Sequence, residues 1–548
     1  MMSSTRHHQG HTVQTFSNSR VAMIVRGAWR KLKYACLLLL LHVYLVQALH
    51  IRGWGDTWCT GARFVAAIVF FVDAMLLHML CVKGNILGRI VDGVKDLKIR
   101  SPRLKCLQKA SWTLVMIVVA AYVLFDSSHS ISRLTACGGV GLCILIGYGC
   151  SKNRKEVPWP SVVGALIAQF LCGLLMVRWT PGLFHCLTIH AGDAINSTFR
   201  GSAFIFAYLD DGHYEGLPRQ APIFAFHILP VLLFFSFLLS VLHYCGAVQF
   251  VAVNMGIVLR MFTRLSTPEC ISSSATILVG LPMAVAFIKP FMSEMTLSEL
   301  HCIMVAGYCG QPAATFAMIL KVWNAAHRNG HHLLAANLMS VPAGLGMAKL
   351  VLPETQKAPL ASAATKPLVS SENTVFEAGS NGVIGALPQV THIMVALIVY
   401  SAVLHMADAV LGSMLLALGF AVRLKEVLGV LFSPLSFAFG LTGRDAIQVG
   451  YLLAVHTIGS EVLAFIELNK MNAAGAISVR KKRAGVLSTY ALSSSSCLTQ
   501  VPAVTSVLND MAPPIRIADI QSVSWRALFT GCLSTLLNTC IAGCLVTD

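Results

Sequence analysis

The sequence predicts an all-α polytopic membrane protein with about 11 transmembrane helices plus two re-entrant hairpins. Three observations lead there. The 548 residues are 56% hydrophobic and only 12% charged, whereas a soluble domain is about a quarter charged; the mean hydropathy is +0.70. The apolar residues gather into runs long enough to cross a bilayer, roughly 20 residues each. Two more apolar regions, one in each half, are too interrupted to be single spans and too apolar to be loops.

The elements follow in order. Residues 1–33 are polar and basic, and the first apolar run is not followed by a small-residue cleavage site. They are expected to form a cytoplasmic tail and not a cleaved signal peptide. Spans are expected near 34–50, 61–82, 111–126, 134–150, 161–177 and 222–243, then near 300–322, 331–352, 390–418, 443–468 and 522–546. The net charge is +17, but the lysines and arginines sit in the tail and in alternate loops, such as 83–109 and "SKNRKEVPW". That pattern fits positive-inside bias and argues against a nucleic-acid partner. Counting outward from the tail puts Asn196, Ser197 and Thr198 in an extracellular loop, where a glycosylation sequon can be used. The 17 cysteines fall mostly in apolar runs without paired spacing, so buried thiols are expected and no disulfide or zinc framework. The segment 353–385, rich in Ala, Ser and Pro, has the composition of a linker between two halves.

The two interrupted regions are 264–291, "RLSTPECISSSATILVGLPMAVAFIKPF", and 484–514, "AGVLSTYALSSSSCLTQVPAVTSVLNDMAPP". Each has a short apolar arm, a serine-rich stretch, a proline, a second arm and a closing proline. Non-helical backbone at membrane depth survives only where protein buries it or a watery cavity receives it. One such segment in each half points to an inverted-repeat transporter fold with a site near the midplane. Two amphipathic interface hairpins are the alternative reading. An intramembrane enzyme is not indicated, since no His-Glu-x-x-His and no paired intramembrane Asp is present.

Several stretches, in order, resemble the concentrative nucleoside transporter family, the sodium–nucleoside symporters. They are "SKNRKEVPWPSVVGALIAQFLCGLLMVR", "FAFHILPVLLFFSFLLSVLHYCG", "MTLSELHCIMVAGY", "SVPAGLGMAKLVLPET", "FEAGSNG" and "RALFTGCLSTLLNTCIAG". The match runs over roughly 135–548. The resemblance implies a homotrimer in the plasma membrane whose protomer has a scaffold part and a moving transport part. It implies sodium and a nucleoside bound between two hairpin tips and two unwound helices, with elevator-like movement. On that basis 34–133 would be peripheral helices, 134–263 the first core and scaffold helices, and 264–352 the first hairpin and the transport helices after it. Residues 386–442 would be second-half scaffold, and 443–548 the second unwound helix, second hairpin and last helix.

The resemblance also assigns residues, and the chain departs from the family at most of them. The first tip, usually Gly-Asn-Ile-Phe-Val-Gly-Gln-Thr-Glu-Ala-Pro, is "ATILVGLPMAV". Thr276 stands for a sodium-ligating Asn and Val279 keeps a carbonyl ligand, while Leu281, Pro282 and Met283 replace the polar Gln, Thr and Glu that contact base and ribose. The first unwound helix, usually Phe-Ala-Thr-Ile-Ser-Gly, is "YCGQPA", so Gln311 and Pro312 align with the sodium ligands. At the second, Ser460 replaces Asn and Glu461 keeps the ribose-binding carboxylate. The second tip places Cys497 at the family's Asn, with Thr499 and Gln500 at its two serines.

Glu461 also stands out by itself, because a carboxylate at bilayer depth costs about 2.5–3.5 kcal/mol on insertion scales. Glu269 matches a family Glu and also suits a helix N-terminus; Asp408 is expected to pair with His405 on one helical face; Asp73 and His78 are expected to be structural. The expectation is therefore a transporter of nucleosides or nucleobase-like solutes. It carries no cofactor beyond a coupling ion, sodium or a proton, and its selectivity is altered. A transport-incompetent receptor or scaffold is the alternative.

Overall fold

The computed structural model describes residues 39–51, 53–54, 59, 62–83, 121–122, 125–126, 130–212, 223–323, 330–356, 372–420, 422–475 and 483–547, the side chains of 78–83 and 211 excepted. The chain divides into two compact units, residues 1–104 and 105–548. In the first, α1 (Leu39–Ile51) and α2 (Arg63–Lys83) are the two peripheral helices expected at 34–50 and 61–82. His42 Nε2 lies 3.4 Å from Asp73, a contact between half-exposed groups. Most of the expected third span, 111–126, and the His-rich tail lie outside the described residues, as does the side chain of His78.

Among the described residues of the second unit every regular element is a helix. In chain order come α3 (Ile131–Gly149), α4 (Trp159–Gly173, continued by a π-turn to Trp179), α5 (Pro181–Phe206), α6 (Leu229–Tyr244) and α7 (Ala247–Thr263). The first hairpin is α8 (Thr267–Val279) and α9 (Leu281–Ala286). A broken helix follows, α10 (Leu297–Cys309) and α11 (Ala313–Val322), then α12 (Gly330–Val351) and the 43-residue α13 (Val375–Ala417). Next are α14 (Leu424–Ala438) and a second broken helix, α15 (Gly443–Ile458) and α16 (Glu461–Ala473). The second hairpin is α17 (Arg483–Leu492) and α18 (Gln500–Met511), and α19 (Ile517–Leu545) closes the chain.

Among the described residues seven helices are long and apolar enough to cross a membrane, or eight if α14 and α15, bent by 108°, form one span. The anticipated long broken elements are present in both halves. Three helices escaped the sequence reading. Residues 196–198, expected in an extracellular loop, lie within the amphipathic α5. It buries Thr188, Gly192, Ile195 and Ser202 at helical spacing. The sequon therefore lies in a helix, with Asn196 and Ser197 exposed and Thr198 buried. Helices α7 (17 residues) and α14 (15 residues) were also not expected. Cys59 and Cys186 are disulfide-bonded, so the expectation of thiols alone fails at those two positions. Asp408 does not pair with His405. Its Oδ1 accepts the Leu424 N–H at 2.8 Å, while His405 Nδ1 lies 2.7 Å from its own helix carbonyl at Ser401. A free backbone donor at the start of α14 outcompetes an exposed histidine.

The helices sort by burial. Helices α10 and α12 are almost wholly enclosed and α19 is enclosed over its C-terminal half, whereas α13 packs along α6 and leaves Ile398, Met406, Met414 and other apolar side chains outward. A long helix apolar all round with one covered side suits lipid on the other. Around the enclosed helices lie two apolar clusters. One gathers α4, α12, α15, α17 and α19; the other gathers the first hairpin, α10, α18 and α19.

Ion pairs pin the base of the first hairpin. Ser266 caps α8, and Glu269 accepts both its N–H and its hydroxyl, at 3.1 and 2.8 Å. Lys349 of α12 lies 2.6 Å from Glu269 and donates to Ser298 of α10 at 2.9 Å. Glu354, 3.6 Å from Lys349, accepts the Thr296 hydroxyl at 2.7 Å. These side chains tie α8, α10 and α12 into one body. Glu269 therefore works as a helix-terminal charge paired with Lys349, a cation it shares with Glu354.

Candidate solute-binding site

The first hairpin turns at Gly280, whose φ of +85° and ψ of 166° form a combination open essentially to glycine. Pro282 is the second residue of α9, within the first turn, where its missing N–H breaks no helical hydrogen bond. Leu281 is buried against Gly307 of α10, where an added Cβ would meet its Cδ2 at 3.1 Å. Pro282 is exposed and Met283 half-buried. The tip that the resemblance assigned to polar contacts is thus apolar, and Leu281 is part of the cluster with Ile277 and Tyr308. α9 also packs on α18, bringing the two hairpins together.

The first helix break, Gly310, Gln311 and Pro312, faces this tip. Gly310 is needed for close approach, since a Cβ there would sit 2.5 Å from Ile277 Cγ2. Pro312 cannot donate an N–H and sits in extended geometry (φ −55°, ψ 147°) before α11, which keeps the helix open. Its carbonyl accepts Phe316 N at 2.8 Å. Across the break lies Asn337 of α12. Its Oδ1 accepts the Gln311 N–H at 2.8 Å, and its Nδ2 donates to the Gln311 carbonyl at 2.9 Å. The Gln311 side chain is fully buried, with neither carboxamide atom bonded. Thr276 donates its hydroxyl to Ser272 O at 2.9 Å, and its carbonyl accepts Gly280 N at 2.9 Å. Val279 is half-buried at the end of α8.

The second break is built differently. Gly459 ends α15, and Ser460, in extended geometry, caps α16 by accepting Leu463 N at 3.2 Å. Glu461 is therefore the first residue of a helix N-terminus, where the backbone field favours a carboxylate. It is 3% exposed. Cys497, in the tip between α17 and α18, points its Sγ to Glu461 Oε2 at 3.6 Å and to the Thr499 hydroxyl at 3.0 Å. The tip itself is held by Leu498 N on Thr457 O at 3.0 Å, and by His456 Nε2 near Ser494 O at 2.9 Å. A small cleft opens here, lined by His392, Ile393 and Ala396 of α13, Ser460, Glu461 and Val462, and Thr499 and Gln500. His392 Nε2 is buried there with no hydrogen-bond partner.

Of the residues singled out by resemblance, Glu461, Cys497, Thr499 and Gln500 come together at the second break. Gln311 and Pro312 form the first, and the end of α8 that carries Thr276 and Val279 lies beside it through Ile277 and Gly280. Leu281, Pro282 and Met283 lie on the first tip, and the first of them is committed to packing. Asn337, His392, His456 and Tyr308 were missed. Tyr308, fully buried with an unbonded hydroxyl, packs on Gly531 close to Ser496. The only sequence signal for Asn337 was a lone amide in the apolar run "HHLLAANLMSVP".

Two hairpins and two broken helices around enclosed polar groups define a multi-pass membrane protein of transporter architecture. Comparison with known proteins agrees. A family model described as Na+ dependent nucleoside transporter N-terminus matches residues 138–209, and one described as the C-terminus matches 332–543; together they cover just over half of the chain. Sodium/nucleoside cotransporter 1 of Homo sapiens is 29% identical over 516 residues, which are 89% of this chain and 77% of that protein. The Sus scrofa protein of the same name is 29% identical over 501 residues, 88% and 75%. CNTnw in an inward-facing substrate-bound state superposes with a TM-score of 0.68 at 25% identity, covering 76% of this chain and 98% of that one. A variant of CNTnw in an outward-facing state gives a TM-score of 0.70 with the same coverage. The chain belongs to the concentrative nucleoside transporter family.

Proposed function

We propose that the chain is a secondary active transporter moving nucleosides or nucleobase-like solutes across the plasma membrane by ion-coupled symport, sodium being the family's ion. The observation that carries this reading is the cleft at the second break. There a buried carboxylate at a helix N-terminus, Glu461, shares a lining with Thr499, Gln500 and an unpaired His392 nitrogen. The enclosed space is only water-sized here; a buried carboxylate among neutral donors and acceptors offers hydrogen bonds to a hydroxyl of a neutral solute once the tips part. Cys497 supplies a thiol where the family has an amide, and the Leu281–Met283 tip adds no polar group. Each polar solute group left unsatisfied there costs about 1–3 kcal/mol. The favoured solutes are therefore less polar on the base than the usual nucleosides.

The rest follows as part of the same proposal. The tips, the broken helices and α12 and α19 form the moving part, and α6 with α13 belongs to the scaffold. The cycle is elevator-like, the assembly is a homotrimer, and the N-terminus is cytoplasmic. The test is uptake of a radiolabelled panel of nucleosides and nucleobases into cells expressing the full chain, with sodium or choline outside and at two external pH values. Uptake of at least one panel member above mock-expressing cells is expected. No uptake despite verified surface expression would sink the reading.

A further inference from the structure

We infer that Asn337 takes the place of a cation at the first helix break, so that the protein holds no sodium there. A broken helix at membrane depth leaves an unpaired carbonyl on one side and an unpaired N–H on the other. In transporters with unwound helices a sodium ion commonly satisfies such carbonyls, taking several oxygens in exchange for its water. A cation can serve only the carbonyl. A carboxamide serves both groups, because it carries one acceptor and one donor side by side. Asn337 does this, at 2.8 Å to the Gln311 N–H and 2.9 Å to the Gln311 carbonyl. It is 5% exposed, and Ser340 fixes its main chain by donating to its carbonyl at 2.6 Å.

Most of the other oxygens aligned with ion ligands are drawn into the protein's own hydrogen bonds, the Val279 carbonyl excepted. The Thr276 hydroxyl donates along its own helix, the Thr276 carbonyl accepts Gly280 N, and the Pro312 carbonyl accepts Phe316 N. Gln311 Oε1 is left unbonded, but with the Val279 carbonyl it makes two oxygens, short of the several that a dehydrated sodium ion requires. The residues present therefore do not fit the family's ion at this break. The break is kept open by Pro312 and closed electrically by a fixed amide. The inference concerns ion occupancy; only its transport arm rests on the proposed function.

The experiment is thermal unfolding of the purified full-length protein in detergent, in sodium chloride against choline chloride at equal ionic strength. The wild type is expected to melt at the same temperature in both. Asn337→Asp keeps the acceptor, removes the donor from the Gln311 carbonyl and adds a negative charge. It is expected to gain a sodium-specific rise of at least about 2 °C. A sodium-specific rise of that size in the wild type overturns the inference, and so does a folded Asn337→Asp variant that ignores sodium. Should that variant not fold, the wild-type comparison decides alone. In proteoliposomes, initial uptake is expected to be equal within twofold with and without a sodium gradient, and a tenfold dependence overturns the inference. Absence of all uptake counts against the transport reading, while the melting comparison still tests the ion.

Discussion

The two helix breaks solve one problem in opposite ways. At Gly310–Pro312, both orphaned backbone groups are satisfied by Asn337, and the facing tip is sealed by Leu281 packing on Gly307. At Gly459 and Ser460 the backbone is capped by a serine, and the next residue is a carboxylate that meets the buried Cys497 thiol and borders a cleft with a threonine, a glutamine and an unpaired imidazole nitrogen. The first break is satisfied from within the protein. The second keeps acceptors and donors for a guest. An interrupted helix thus marks a place where polar groups must be met at membrane depth, without saying whether protein, ion or solute meets them.

Substitutions on the two sides should separate stability from transport. The largest effect is expected from Lys349→Met, which leaves Glu269 and Glu354 without their cation beneath the first hairpin. Removing one partner of a buried pair costs about 3–5 kcal/mol, and a large drop in melting temperature in detergent should show it. If the variant melts like the wild type, the hairpin base is not held as described. Leu281→Ala should come next, with a loss of about 2–5 kcal/mol in unfolding measurements. Its apparent affinity in uptake assays should stay unchanged, because the side chain packs on α10; a selective change in apparent Km would place Leu281 in the solute site.

Glu461→Gln should do the reverse. Losing a charge-assisted hydrogen bond of about 1.5–3 kcal/mol predicts a rise in Km of roughly 10–100-fold with little change in melting temperature. Uptake kinetics identical to wild type would remove Glu461 from the site. The smallest effect is expected from Cys497→Ser. It keeps a donor toward Glu461 and should alter uptake by about 0.5 kcal/mol or less, roughly twofold in initial rate. A tenfold loss would show that the thiol itself is required.

Much of this architecture was legible beforehand. Proline, serine clusters and short apolar arms marked both hairpins, because backbone that cannot continue a helix must be announced by residues that break it. Glu461 was legible because burying a carboxylate is costly enough to demand a reason. Helix α5 was not, since its amphipathic stripe is diluted by polar residues and its sequon suggested a loop. Asp408 was misread because spacing on one helix offered His405, whereas the turn into α14 brought a better donor. His392 and Asn337 gave almost no signal. Each is a single polar residue in an apolar run, and whether such a residue meets lipid, protein or solute depends on its neighbours.

The sequence by itself determined the membrane class, the two interrupted hairpin regions and the family, while the helix breaks inside 300–322 and 443–468 were legible only through the resemblance. Those properties depend on local chemistry, which each segment carries with it: apolar length, proline, glycine and serine. Only the tertiary structure decided how each break is satisfied. Asn337 meets Gln311 across 26 residues of chain, and Cys497 meets Glu461 across 36. A hydrogen bond acts over about 3 Å, so its partner is set by packing and not by position along the chain.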